Sequence, residues 1–258
     1  MKNREELIEV FKDTKAIIES KKRFNSGYCS SKKIYFAPKD IDIDVVNMDS
    51  VSAIMKYYMS YGRGYNRLCV LNMASAKKPG GGVERGEPTQ EECLFRCSNL
   101  AGQISEELYP LGDNELILTQ SSWFFKDGDY KDIGHLIPAN VVTIPAINLN
   151  ANSYFDKEKN EWVDGLVEKP HDYDLLLKRK IRAMLSVGIS SMSNIMILGA
   201  WGCGVFKNHP TDIAYAFRDI LVEEHFGSKF DKIVFPIIND ENSTSNNFYY
   251  FEKILNNL

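Results

Sequence analysis

Leu68-Cys69-Val70-Leu71-Asn72-Met73 runs directly into Ala74-Ser75-Ala76-Lys77-Lys78-Pro79-Gly80-Gly81-Gly82, and a helical pattern opens near Gln90. The first six residues have the length and apolar character of a strand buried on both faces. The glycines and Pro79 mark a loop. Strand, glycine-rich loop, helix is the junction of a layered α/β protein. The same order returns later in the chain. Asn194-Ile195-Met196-Ile197-Leu198-Gly199 reads as a buried strand, Gly199-Ala200-Trp201-Gly202-Cys203-Gly204-Val205-Phe206-Lys207-Asn208 as a second glycine-rich loop, and Thr211 to Glu224 as a helix.

Outward from these two junctions, strands and helices alternate. Helices are predicted over the first 22 residues, Val51 to Tyr61, Gln90 to about Leu108, Asp172 to Ile189 and Phe248 to Leu258, each from apolar residues at helical spacing. Strands are predicted at Lys33–Phe36, Asp44–Val46, Leu116–Thr119, Val141–Ile144 and Lys232–Ile237. The polar stretch from Asn150 to Lys169 reads as a surface insertion. The expected architecture is a three-layer α/β/α fold with a mixed, mostly parallel sheet. An N-terminal helical extension (1–44) is expected to pack on a core domain (45–258). In such sheets ligands bind beyond the carboxyl ends of the strands, so the two loops are expected to line one cleft.

Composition narrows the function classes. Of 258 residues, 44% are hydrophobic and 26% charged, enough apolar surface for a packed core. No apolar run is long enough to span a bilayer, and the first residues are charged where a secretory leader needs an apolar stretch. A cytoplasmic protein with no membrane partner is expected. A net charge of −4 argues against a broad basic face for duplex nucleic acid. It leaves room for an anionic small ligand, because backbone N–H groups hold phosphate without side-chain charge. Five scattered cysteines give no disulfide framework. None of the four histidines lies within five residues of a cysteine or another histidine, so no metal site is expected.

The residues between Asn72 and Glu92 carry the chemistry. Three successive glycines permit positive φ and close approach of a ligand, and their N–H groups could cradle phosphate or sugar oxygens. Flexibility alone is the plainer reading. Thr89-Gln90-Glu91-Glu92 matches a capping box, in which Glu92 is structural. Glu91 is equally explained by the helix dipole. In the second loop, alternating glycines before a helix with Pro210 near its start suit a diphosphate resting on amides. Cys203 reads as a small packing residue rather than a nucleophile. Phe206 suits either a ligand ring or the core.

Taken together, Gly80-Gly81-Gly82, a seven-residue spacer and Gln90-Glu91-Glu92 resemble the signature of bacterial-type poly(ADP-ribose) glycohydrolases, enzymes with a macrodomain fold. The second loop is similar to that family's diphosphate-binding loop, and Val234-Phe235-Pro236-Ile237 to its last core strand. The resemblance implies hydrolysis of the ribose–ribose glycosidic bond at the end of poly(ADP-ribose), releasing ADP-ribose. Cleavage of a single ADP-ribose from protein, or binding without cleavage, are the alternatives. It implies Glu92 as the catalytic acid/base and Glu91 as the residue that positions the ribose hydroxyls. Asn72 would contact the distal ribose, Gly80, Gly81 and Gly82 would form the loop around it, and Ala74, Val83 and Gln90 would also bind substrate. Gly202, Cys203, Gly204 and Val205 would hold the diphosphate, with Phe206 against the ribose. No cofactor and no metal are implied. The expected partner is ADP-ribose or its polymer, free or attached to protein, and the expected state is a monomer.

The chain departs from the family pattern at Lys78, where many relatives carry Asn, and at Glu84, Arg85 and Glu87 in the spacer. These side chains are placed to line the acceptor side and leave polymer and single ADP-ribose both open. Lys77, Lys78, Arg85 and Lys207 add local positive charge, although solvated surface cations are the usual reading.

Overall fold

The computed structural model describes residues 2–20, 40–61, 67–150, 154–156, 161–163, 168–239 and 246–256. The elements run α1 (Arg4–Ser20), β1 (Ile43–Val46), α2 (Ser50–Ser60), β2 (Leu68–Met73), α3 (Gln90–Cys97), β3 (Ile117–Lys126) and β4 (Asp132–Ile144). They continue as β5 (Tyr154–Asp156), β6 (Glu161–Val163), α4 (Tyr173–Ser190), β7 (Ile195–Ile197), α5 (Pro210–Arg218), β8 (Lys232–Pro236) and α6 (Asn247–Leu255). Six strands form one sheet in the order β1-β8-β7-β2-β4-β3. All neighbours are parallel except β3 and β4, which form an antiparallel hairpin. The expected α/β/α sandwich with a mixed, mostly parallel sheet is therefore the observed fold.

Side-chain alternation along the strands builds the two apolar layers. Leu68 and Val70 of β2 join Ile195, Ile197 and Val234 against α1, α2 and α3. Cys69 and Leu71 join Met196, Ile233 and Phe235 against α4, α5 and α6. Because β2 and β7 are adjacent, the loops that follow them emerge side by side at one edge of the sheet.

Helix α1 is bound to the core by buried polar contacts as well as by Leu7 and Phe11. The Arg96 Nε donates to the Leu7 carbonyl at 3.0 Å, and the Thr14 hydroxyl donates to the Arg96 carbonyl. The buried Lys126 ammonium reaches Asp13 at 2.6 Å and the Val10 carbonyl at 3.2 Å. The division expected at 44/45 falls inside β1, a strand of the main sheet.

Several sequence expectations need correction. Helix α3 stops at Cys97 rather than near Leu108. Ser98 turns extended and bridges to Phe124, and the Asn99 side chain accepts from the Trp123 amide at 2.7 Å. Ser and Asn offer the backbone local alternatives to the helix, and β3 supplies partners for them. Two short 3₁₀ turns follow, Leu100–Gly102 and Glu106–Leu108. Strands β3 and β4 extend well beyond Leu116–Thr119 and Val141–Ile144, because a register shift between Thr119 and Ser122 hides their periodicity. Helix α5 gives way after Arg218 to a π-helical turn, Asp219–Glu223. The insertion after Asn150 contains the β5–β6 hairpin. The strand expected at Lys33–Phe36 lies outside the described residues.

Candidate active site

The chain leaves β2 at Asn72 and returns to the same place at the start of α3. Gln90 closes this loop. Its Oε1 accepts from the Met73 amide at 2.9 Å, and its Nε2 donates to the Leu71 carbonyl at 2.7 Å and to Ser50 Oγ at 3.2 Å. Gln90 thus fixes the first turn of α3 against the end of β2, and Glu91 and Glu92 follow at set positions.

Both glutamates are buried, at 2% and 5% exposure, yet both reach the wall of one cavity. Glu91 Oε2 accepts from the Ser75 amide at 2.7 Å, and its Oε1 accepts from the Gly80 amide and the Asn72 side-chain amide, each at 3.2 Å. Glu92 Oε1 accepts from the Gly82 amide at 2.8 Å, and the Thr89 hydroxyl donates to its Oε2. The capping box is not formed. Thr89 occupies the N-cap position, but its side chain turns to the Glu92 carboxylate instead of to a helix amide.

These contacts revise the role expected of the glycine amides. Gly80 and Gly82 donate to the protein's own carboxylates, and the Gly81 amide donates to the Lys78 carbonyl at 3.4 Å. Two carboxylates sunk at a helix start need donors, and the loop wraps over them to supply these. Gly81 has φ +51°, and a Cβ there would stand 2.6 Å from Glu92 Oε1 and 2.9 Å from Glu91 Oε2. Only a residue without a side chain lets the backbone cover both acids.

The two carboxyls lie in unequal surroundings. Burial pushes the Glu91 carboxyl up to about 7, and the charge of Glu92 adds to the rise. The donors from Ser75, Asn72 and Gly80 pull the other way without cancelling it. In an unfolded chain this group titrates near 4.5. Between these two values the folded state keeps a proton that the unfolded state has lost. Stability contributed by Glu91 therefore declines as pH rises from about 4.5 to about 7, by up to roughly 3 kcal/mol. Urea unfolding of the wild type and Glu91→Gln across pH 5 to 8 checks this. The wild type should lose stability relative to the variant with rising pH, and a constant difference would refute the assignment.

The second loop presents the opposite chemistry. The amides of Gly202, Gly204, Val205 and Phe206 have no acceptor among the described residues, and these four residues line the cavity. Asn208 shapes the loop from beneath. Its Nδ2 donates to the Ile147 carbonyl at 2.8 Å and the Gly202 carbonyl at 3.0 Å, while its Oδ1 accepts from the Tyr173 hydroxyl at 2.7 Å. Trp201 is fully buried and donates to the Ile144 carbonyl at 3.1 Å. Open amides at the end of a strand, just before a helix, suit an anion.

The cavity has a volume of about 1370 Å³ and takes in both loops. Among the residues singled out from sequence, Ala74, Gly81, Gly82 and Gln90 line it beside the two glutamates. Asn72, Gly80, Val83 and Cys203 do not. Asn72 lies behind Glu91, fully buried, bonded to it and to Thr143. Gly80 sits against the Phe95 ring, and Val83 belongs to the apolar layer under the loop. The Cys203 thiol is buried, which pushes its pKa up, away from a nucleophile's range. Sequence reasoning missed Ser75 and Asn208, polar residues whose partners are distant in the chain, and read Thr89 as a helix cap where its hydroxyl instead donates to Glu92.

Residues 2–119 match the family model described as microbial-type PARG, catalytic domain. This segment contains Glu91, Glu92 and the whole glycine loop. The match covers 118 of the 258 residues. Solved structures extend the likeness of fold over the rest of the chain. The poly(ADP-ribose) glycohydrolase of Thermomonospora curvata bound to the inhibitor ADP-HPD is 24% identical with a TM-score of 0.69, over 82% of this chain and 78% of that one. That of Deinococcus radiodurans in complex with ADP-ribose is 23% identical with a TM-score of 0.68, over 98% and 91%. A T267K mutant of the Deinococcus enzyme in complex with ADP-ribose is 25% identical with a TM-score of 0.66, over 84% of each chain. No curated protein matches. The matched segment ends within β3, so the second glycine-rich loop lies in the part matched by structure alone.

Proposed function

We propose that this protein hydrolyses the ribose–ribose glycosidic bond at the end of poly(ADP-ribose) and releases ADP-ribose. The observation that carries the reading is a single cavity that joins two amide-held carboxylates to a loop of open backbone amides. The family match over the acid-bearing segment supports it.

In this reading the diphosphate of the terminal unit rests on the amides of Gly202, Gly204, Val205 and Phe206. Glu92 faces the scissile bond. As a carboxylic acid it gives its proton to the leaving ribose oxygen while the anomeric C–O bond breaks. As a carboxylate it then takes a proton from the water that forms the new C–O bond. Gly82 and Thr89 hold its two oxygens, so the carboxyl needs little reorientation between steps. Glu91 orients the ribose hydroxyls, and Gln90 keeps both acids in register with β2.

The test is release of free ADP-ribose from purified polymer, compared with release from singly ADP-ribosylated protein. Turnover of polymer with little turnover of the singly modified substrate is expected. The reverse ranking would make the protein a mono-ADP-ribosyl hydrolase. Tight ADP-ribose binding without release from either would make it a binding module.

A further inference from the structure

Past Glu92 the cavity wall changes character. On the flank of the glycine loop it is lined by Lys77, Lys78 and Arg85, together with Lys2 from the N-terminal segment. This flank belongs to the layer of α1, α2 and α3, since Val83 beside it packs there. The amide loop belongs to the other layer, through Trp201 and Cys203. The cations therefore share a layer with the helix that carries the two acids, and the open amides belong to the other layer.

Two acids of the same loop have cationic partners. Glu84 pairs with Lys15 at 2.7 Å, and Glu87 with Arg4 at 3.3 Å. Lys77, Lys78 and Arg85 make no ion pair among the described residues. Glu6 and Glu87 also line the cavity, so this wall carries unpaired cations beside acids in a chain whose net charge is −4. Arg85 is also directed inward. One terminal nitrogen lies 3.1 Å from where a Cβ on Gly82 would stand, and the Gly82 amide is the donor to Glu92 Oε1. A guanidinium thus lies over the backbone that holds the proposed acid/base.

The chemistry of the polymer says what such a group meets. The leaving oxygen belongs to the ribose of an adenosine whose 5′ oxygen carries the next diphosphate. An anion therefore lies one sugar beyond the scissile bond, on the leaving side. A singly modified side chain offers no such anion. We propose that Arg85, with Lys78, binds the diphosphate of this second ADP-ribose unit and so selects polymer over single ADP-ribose. The proposal rests on the reading of the site as an ADP-ribose site. A planar, forked guanidinium suits a diphosphate in two-point contact, and the lysine adds point charge.

Binding measurements separate this subsite from catalysis. ADP-ribose and a purified oligomer of two to four units are titrated into the Glu92→Gln protein at about 50 mM and about 300 mM salt, where screening differs strongly. The oligomer should bind about tenfold more tightly than ADP-ribose at low salt, with the surplus shrinking at high salt. Adding Arg85→Ala and Lys78→Ala should abolish the surplus and leave ADP-ribose affinity within about twofold, which also reports an intact fold. Equal affinity for both ligands, or a surplus that survives the double substitution, overturns the subsite. Polymer turnover by the wild type is measured in parallel. Absence of turnover with the Arg85-dependent surplus present removes the hydrolase reading and keeps the subsite. Absence of binding to either ligand removes both.

Discussion

Glu92→Gln should lower polymer turnover by about 10³-fold, the range expected when an essential general acid/base is lost, equivalent to about 4 kcal/mol of transition-state stabilisation. The replacement is chosen because it leaves the surroundings nearly intact. The amide oxygen of the glutamine still accepts from Gly82, and the Thr89 hydroxyl turns to accept from the new NH₂. Folding stability should shift by no more than about 1 kcal/mol, the scale of one altered hydrogen bond. ADP-ribose affinity should stay within about tenfold, since the open amides of the second loop are untouched. Initial rates, calorimetric affinity and urea midpoints measured on one preparation give all three quantities. A folded variant with turnover within tenfold of wild type would end the assignment of Glu92 to the chemistry. Loss of turnover in proportion to lost folding would return Glu92 to a structural role.

The second large effect is expected at Gly81. Alanine there meets two separate costs. At φ +51° an L-residue costs roughly 1–2 kcal/mol. Its methyl group also enters the space held by Glu92 Oε1, at 2.6 Å, and Glu91 Oε2, at 2.9 Å. Neither carboxylate retreats freely, because Gly82, Gly80 and Ser75 hold them from the backbone. The acids must shift, and a displacement near 1 Å at a reacting group costs about 10²-fold in rate. Gly81→Ala should therefore lose about 10²-fold in turnover and about 1–2 kcal/mol in stability, read by polymer assay and urea midpoint. Gly204→Ala is the stability control. A Cβ there meets nothing within 4 Å, and its stability should stay within about 1 kcal/mol of wild type. Equal stability and activity in both variants would show that the glycine loop does not close over the acids as described.

These two residues also mark how far the sequence could be read. The order of strands and helices was legible because each uses a periodic apolar pattern, as in Leu68–Met73 and Ile195–Ile197. The pairing of two motifs 110 residues apart was legible from their linked form, Gln90-Glu91-Glu92 and Gly202-Cys203-Gly204. The end of α3 was not, because Ser98 and Asn99 leave the helix for partners in β3. Nor was the lengthening of β3 and β4 across a register shift.

The amino-acid order alone determined the α/β layering, the two glycine-rich turns that each follow a buried strand and the presence of two adjacent acids at a helix start. These follow from periodicity and local backbone freedom, which are properties of neighbours in the chain. The folded chain determined which groups bond to which. It turned the amides of Gly80 and Gly82 toward Glu91 and Glu92, drew Asn72 behind Glu91, left the amides of Gly202, Gly204, Val205 and Phe206 without an acceptor among the described residues and raised the Glu91 carboxyl to about 7. Hydrogen-bond partnership and burial depend on distances between residues far apart in sequence, and those distances exist only once the layers have closed.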